Sequence, residues 1–103
     1  MRKTYIHAPK INLPVVNARS VLIVPENRIR IGLIINNYGT STIYLYDEQK
    51  IVRADNGFSI FPGFGLAMMT DGTCPQSALY AGQAAAGGIL NIIEITKENI
   101  GKI

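Results

Sequence analysis

The chain has no tryptophan, one cysteine (Cys74) and one histidine (His7), and these scarcities exclude much chemistry at once. A lone cysteine forms neither an internal disulfide nor a thiolate metal cage. The only histidine lies near the opposite end of the chain, so neither a Cys-His nucleophile nor a zinc or copper site is expected. Charge is also sparse: 17% of residues are charged against 48% apolar, far from the balance that keeps a chain disordered. Long apolar runs are missing. Ile31 to Ile35 falls well short of the roughly 20 residues that span a bilayer, so no membrane segment is expected. His7, Lys10 and Asn12 interrupt the apolar stretch that a signal peptide would need after Arg2 and Lys3, which predicts residence inside the cell that makes the protein.

What is present has a period of two, the repeat of a strand whose successive side chains point to opposite faces. In the segment from Arg28 to Asn36, Ile29, Ile31, Leu33 and Ile35 fall on one side, with Arg28, Arg30 and Asn36 on the other. This predicts a half-buried strand with the isoleucines and Leu33 inward. Thr42 to Tyr46 repeats the pattern, with Ile43 and Leu45 opposite Tyr44 and Tyr46, after the turn signal Asn36-Asn37-Tyr38-Gly39; the pair reads as a β-hairpin. Val21–Val24, Phe58–Phe61, Phe64–Met69, Ala78–Ala81 and Ile89–Thr96 are further short strands, punctuated by Pro25-Glu26-Asn27, Asp55-Asn56-Gly57, Pro62-Gly63, Asp71-Gly72, Cys74-Pro75 and Gly87-Gly88. No convincing helix is found, since Gln83–Ala86 is short and runs into two glycines.

With 103 residues the chain has room for one domain. The expected fold is all-β: a small antiparallel β-sandwich or jelly-roll-like barrel over residues 17–103, preceded by an extended N-terminal arm, residues 1–16, in which Pro9 and Pro14 each deny a ladder hydrogen bond. The arm has two readings, a frayed terminus or a tether lying on a neighbouring subunit. Tyr5, Ile6, Ile11, Leu13, Val15 and Val16 make it too apolar for a freely solvated tail, which favours the tether. Charge is uneven: residues 1–30 hold six bases against Glu26 alone, and residues 31–103 four bases against six acids. The basic lead either meets an acidic or nucleic-acid surface or merely keeps the chain soluble.

Catalytic patterns fail one by one. Of the acids Glu26, Asp47, Glu48, Asp55, Asp71, Glu94 and Glu98, most sit beside turn residues and read as turn formers rather than paired acid and base. Gly63-Phe64-Gly65 lacks the third glycine and the Gly-Lys-Ser/Thr ending of a nucleotide loop and reads as a bend, and none of Ser41, Ser59 or Ser77 lies in Gly-x-Ser-x-Gly. No enzyme, cofactor or metal is expected. What remains is surface. Tyr44 and Tyr46, opposite Ile43 and Leu45, and likewise Leu90 and Ile92, opposite Ile89, Ile93 and Ile95, form second apolar faces, and a second face needs a cover: the arm, a neighbouring subunit or a larger assembly, or else a barrel interior or a loop.

The stretch Val24-Pro25-Glu26-Asn27-Arg28-Ile29-Arg30-Ile31-Gly32-Leu33-Ile34-Ile35-Asn36-Asn37, followed by Thr42-Ile43-Tyr44-Leu45, Ser77-Ala78-Leu79-Tyr80-Ala81 and Asn91-Ile92-Ile93-Glu94-Ile95, resembles small β-sandwich virion proteins of tailed bacteriophages. The likeness covers residues 21–96, and its motifs are strands and turns, so no site residue carries over from it. It implies a structural protein of the virion, made in the host cytoplasm, that decorates or cements the capsid by binding major-capsid subunits. Such a protein would be a homo-oligomer, dimer or trimer. A head-fibre or tail accessory role is the neighbouring reading, and a host-directed phage protein that binds nucleic acid or a defence factor through the basic arm is the alternative of another class. The candidate partner-binding residues are Arg2, Lys3, Tyr5, Ile6, Lys10, Ile11 and Leu13 of the arm, with Tyr44 and Tyr46.

Overall fold

The structure, a computed structural model, describes residues 2–7, 12–68 and 76–97. Eight strands follow one another: β1 (Arg2–His7), β2 (Val21–Val24), β3 (Arg30–Asn37), β4 (Ile43–Tyr46), β5 (Phe58–Ile60), β6 (Gly65–Met68), β7 (Leu79–Gln83) and β8 (Leu90–Lys97). There is no helix among the described residues, and none long and apolar enough to cross a membrane. The turns expected at Asp71-Gly72 and Cys74-Pro75, with Lys10, Ile11 and Glu98, lie outside the described residues.

The strands form two four-stranded sheets, β1-β8-β3-β6 and β2-β7-β4-β5, with every neighbouring pair antiparallel. The pairs β1·β8, β2·β7, β3·β6 and β4·β5 are nested, as in one long two-stranded ribbon whose tip is the β4–β5 connection. Folding that ribbon over, so that β8 also pairs with β3 and β7 with β4, gives the strand order of a jelly roll. The all-β sandwich expected from period-two patterning is therefore present. The expected β3–β4 hairpin is not, because β3 and β4 belong to different sheets and the Tyr38–Thr42 connection crosses between them. Thr40 N donates to the Gly87 carbonyl (2.8 Å) and Tyr38 N to that of Ile89 (2.9 Å), so this turn pairs with the β7–β8 connection instead of closing on itself.

The core lies between the sheets. Leu33, Ile35, Leu90 and Ile92 from one sheet meet Ile23, Val24, Ile43, Leu45, Ile60, Leu79 and Ala81 from the other. Register along β3 departs from strict alternation. Pairing with β8 runs Arg30↔Thr96 and then Gly32↔Ile95, so Ile31 is the extra residue of a bulge, and a bulge reverses which side chains face inward. Leu33 and Ile35 are buried as expected, but Ile31 is only partly so and Ile29 is 52% exposed. Arg30, expected on the solvent side, is 1% exposed. Its buried charge is paired: Nε donates to Glu94 Oε2 at 2.7 Å, Nη2 to the Pro25 carbonyl at 2.6 Å and Nη1 to that of Ser77 at 3.1 Å. Asn27 Nδ2 donates to the other oxygen of Glu94 at 3.2 Å.

Of residues 1–16, the structure describes 2–7 and 12–16. Arg2–His7 is extended as expected, and it is the edge strand of the first sheet, in register with Lys97 to Ile92 of β8. Leu13 is 6% exposed and belongs to the core, and the Leu13 and Pro14 carbonyls accept hydrogen bonds from the side chain (2.7 Å) and backbone (2.8 Å) of Gln83.

Candidate docking surface

The residues singled out from sequence are placed apart. Arg2, Lys3, Tyr5 and Ile6 stand on β1 at the edge of one sheet, opposite Lys97, Thr96, Glu94 and Ile93, while Leu13 is in the core. Tyr44 and Tyr46 lie on the outer face of the other sheet and are buried, 6% and 4% exposed. Their cover is the chain itself. Residues 16–20 and 50–57 fold over this face and pair with each other: Asn17 N donates to the Val52 carbonyl (2.9 Å), Val52 N to that of Ala18 (2.7 Å) and Ser20 N to that of Lys50 (2.7 Å). Val52, Val16 and Tyr80 pack on the two tyrosines as a second, smaller core. The Tyr46 hydroxyl lies 2.9 Å from Asn56 Oδ1 and accepts from Arg53 N at 3.2 Å. The tyrosines are thus covered by two loops, one of them starting with Val16, the last residue of the expected arm, and are not available to a partner while the cover is closed. Leu90 and Ile92, expected as a second apolar face, instead point into the core between the sheets, and Ile89 on the opposite side is exposed.

Of the nine large apolar side chains that reach solvent among the described residues, Val15, Leu22, Ile29, Ile51 and Phe58 lie on other segments, and the other four, which include the two most exposed, come to one end. Tyr38 (66% exposed), Phe61 (58%), Phe64 (67%) and Ile89 (58%) sit on the β3–β4, β5–β6 and β7–β8 connections. Backbone hydrogen bonds hold these three loops at one end of the sandwich: Tyr38 N to Ile89 O (2.9 Å), Asn37 N to Phe64 O (2.9 Å) and Gly63 N to Asn37 O (2.8 Å). Phe61-Pro62-Gly63-Phe64 is a type II turn, closed by Phe64 N donating to the Phe61 carbonyl at 3.0 Å, with Gly63 at φ 81° in the position that demands positive φ. That geometry places the two phenylalanines at the first and last positions of one turn, on the surface.

Asn37 organises this end from below. Wholly buried, it donates through Nδ2 to the carbonyls of Ser41 (2.8 Å) and Ile60 (3.0 Å), and its Oδ1 accepts from Gly39 N (3.0 Å). One amide thus ties the β3–β4 turn to the end of β5. The three loops, residues 38–42, 61–64 and 84–89, contain no Asp, Glu, Lys, Arg or His. The β2–β3 and β4–β5 connections, by contrast, carry Glu26, Arg28, Asp47, Glu48, Lys50, Arg53 and Asp55. Exposed apolar side chains on uncharged loops are a surface whose burial would release water at no cost in ion desolvation.

Neither protein-family models nor curated protein sequences yield a match. Among the described residues no group of three or more His, Cys, Asp and Glu side chains comes together, and every buried side-chain N or O has a hydrogen-bond partner, leaving none aimed at a ligand. Sequence reasoning did not single out Tyr38, Phe61, Phe64 and Ile89 as surface: it read Tyr38 as a turn residue and the other three as the ends of short strands. The available signal was Phe-Pro-Gly-Phe itself, since a turn tip faces solvent and its flanking side chains go with it.

Proposed function

We propose that the protein is a non-enzymatic structural component that docks onto a larger assembly through the uncharged loops bearing Tyr38, Phe61, Phe64 and Ile89, with the capsid of a tailed phage as the assembly and the major capsid protein as the partner. The observation that carries the docking role is the exposure of four large apolar side chains on three loops that have no charge and that hydrogen bonds tie together through the end of β3 and the turn after it. Support for the virion comes from the strand-and-turn resemblance over residues 21–96 and from the jelly-roll strand order, an architecture common among capsid proteins but not confined to them. The edge strands β1, β6, β2 and β5 give such a protein additional places to meet copies of itself.

The test has two arms. Mass spectrometry of purified particles should find the protein in many copies per virion, and its absence from particles would remove the virion reading. Co-sedimentation with particles should then weaken by ~10- to 100-fold for Phe64→Ser and again for Phe61→Ser, since burying one such side chain is worth about 1.5–3 kcal/mol. Both variants should melt within a few degrees of the parent, because neither side chain belongs to the core. Full binding by the double variant would move the contact to another surface.

A further inference from the structure

We propose that Asn56-Gly57 is a site of spontaneous deamidation and that its conversion releases the loop covering Tyr44 and Tyr46. It is the only Asn-Gly step in the chain, and Asn56 is solvent-exposed at the end of the turn over residues 54–56. The glycine is imposed by packing: a Cβ at position 57 would lie 2.9 Å from both Tyr44 Cβ and Tyr46 Cζ. The cover can close over the tyrosines only with glycine here, and glycine is the residue whose unhindered backbone nitrogen best reaches the side-chain carbonyl carbon of a preceding asparagine.

In the reaction the Gly57 nitrogen loses its proton to solvent base and attacks Asn56 Cγ. A C–N bond forms, the bond from Cγ to Nδ2 breaks, and ammonia leaves. Water then opens the resulting five-membered imide at one of its two carbonyls, giving aspartate or isoaspartate, so the net change is one water gained and one ammonia lost.

The structure states what that change does. Asn56 Nδ2 donates to the Ile51 carbonyl at 3.0 Å, and Oδ1 lies 2.9 Å from the Tyr46 hydroxyl. A carboxylate keeps the bond from the hydroxyl but loses the donor to Ile51, and sets an anionic oxygen against a carbonyl oxygen and beside Asp55. Isoaspartate also lengthens the main chain by one carbon beside a glycine with no room to shift. Both products act against closure of the cover. In the intact loop the same two hydrogen bonds hold the amide, so the reaction proceeds through local opening and runs more slowly in the folded chain than in a free peptide.

The experiment ages the full chain in warm, mildly alkaline buffer beside a synthetic peptide of residues 51–61, with peptide mapping for the mass gain of an amide-to-acid conversion and for isoaspartate. Conversion is expected at Asn56 ahead of every other asparagine. In the aged fraction, separated by its added negative charge, backbone hydrogen exchange at Lys50, Val52 and Arg53 is expected to rise by about tenfold, the weight of roughly one hydrogen bond. Asn56→Asp should show the same rise without ageing, and Asn56→Ser should gain no mass at this position. Two results would overturn the proposal: Asn56 intact in the folded chain over many half-lives of the peptide, or converted chain and Asn56→Asp both exchanging at the parent rate.

Discussion

Replacing Arg30 by methionine tests the reading of β3 most directly, because it removes the charge that the bulge turns inward while keeping an unbranched apolar stem. Glu94 would then lie in the interior, its side chain 8% exposed, and would lose a charge-assisted hydrogen bond of 2.7 Å. The carbonyls of Pro25 and Ser77 would lose donors as well, but both residues are exposed and water can replace them. Breaking a buried pair from one side costs about 3–5 kcal/mol, a large fraction of the roughly 5–15 kcal/mol that holds a domain folded. Glu94→Leu should cost a similar amount, since it leaves the guanidinium buried beside an apolar group. Replacing both at once should cost less than either alone, because no uncompensated charge remains and the interior gains apolar volume. Urea unfolding followed by tyrosine fluorescence, with the two single variants and the double forming a cycle, measures the coupling. Single variants that lose under about 1 kcal/mol, or costs that add without coupling, would mean that Arg30 lies on the solvent side and that the strand alternates without a bulge.

Leu33→Ala, at a fully buried position between the sheets, should cost about 2–5 kcal/mol in the same assay, and Leu33→Asp should leave no folded protein. Asn37→Ala should cost about 2–4 kcal/mol and loosen the docking end, since three hydrogen bonds within 3.0 Å depend on that side chain; amide exchange at Gly39 reads the effect. Tyr46→Phe should cost only about 1 kcal/mol while speeding exchange of Arg53, whose amide donates to the hydroxyl. Deleting residues 1–16 should destabilise the domain by several kcal/mol, because Leu13 leaves the core and the Gln83 amide loses its acceptor at the Leu13 carbonyl; a truncated chain that melts like the parent would show that these residues are a separate arm.

Strand existence was legible in sequence wherever alternation ran unbroken. Val21–Val24 matches β2 end to end, and β4 and β8 lie within or beside their predicted runs, because a half-buried strand records its two environments in every second side chain. The same counting misplaced Ile29 and Arg30, since it assumes one register throughout, and the bulge at Ile31 arises only from pairing with β8, a strand sixty residues away in the chain. Pairing partners were likewise invisible: Asn36-Asn37-Tyr38-Gly39 looks locally like a hairpin turn, and only the competing partners β8 and β6 for β3, and β7 and β5 for β4, send the two strands into different sheets. Tyr44 and Tyr46 show the limit most clearly. Their alternation announced a second apolar face, but whether a partner or the chain itself covers it depends on residues 16–20 meeting residues 50–57, a long-range contact that no local pattern encodes. The alternation along the chain determined that it forms strands. The tertiary structure decided which apolar surfaces are spent internally and which, at the loops of Tyr38, Phe61, Phe64 and Ile89, are left facing water, because exposure is a property of what packs against a residue and not of the residue.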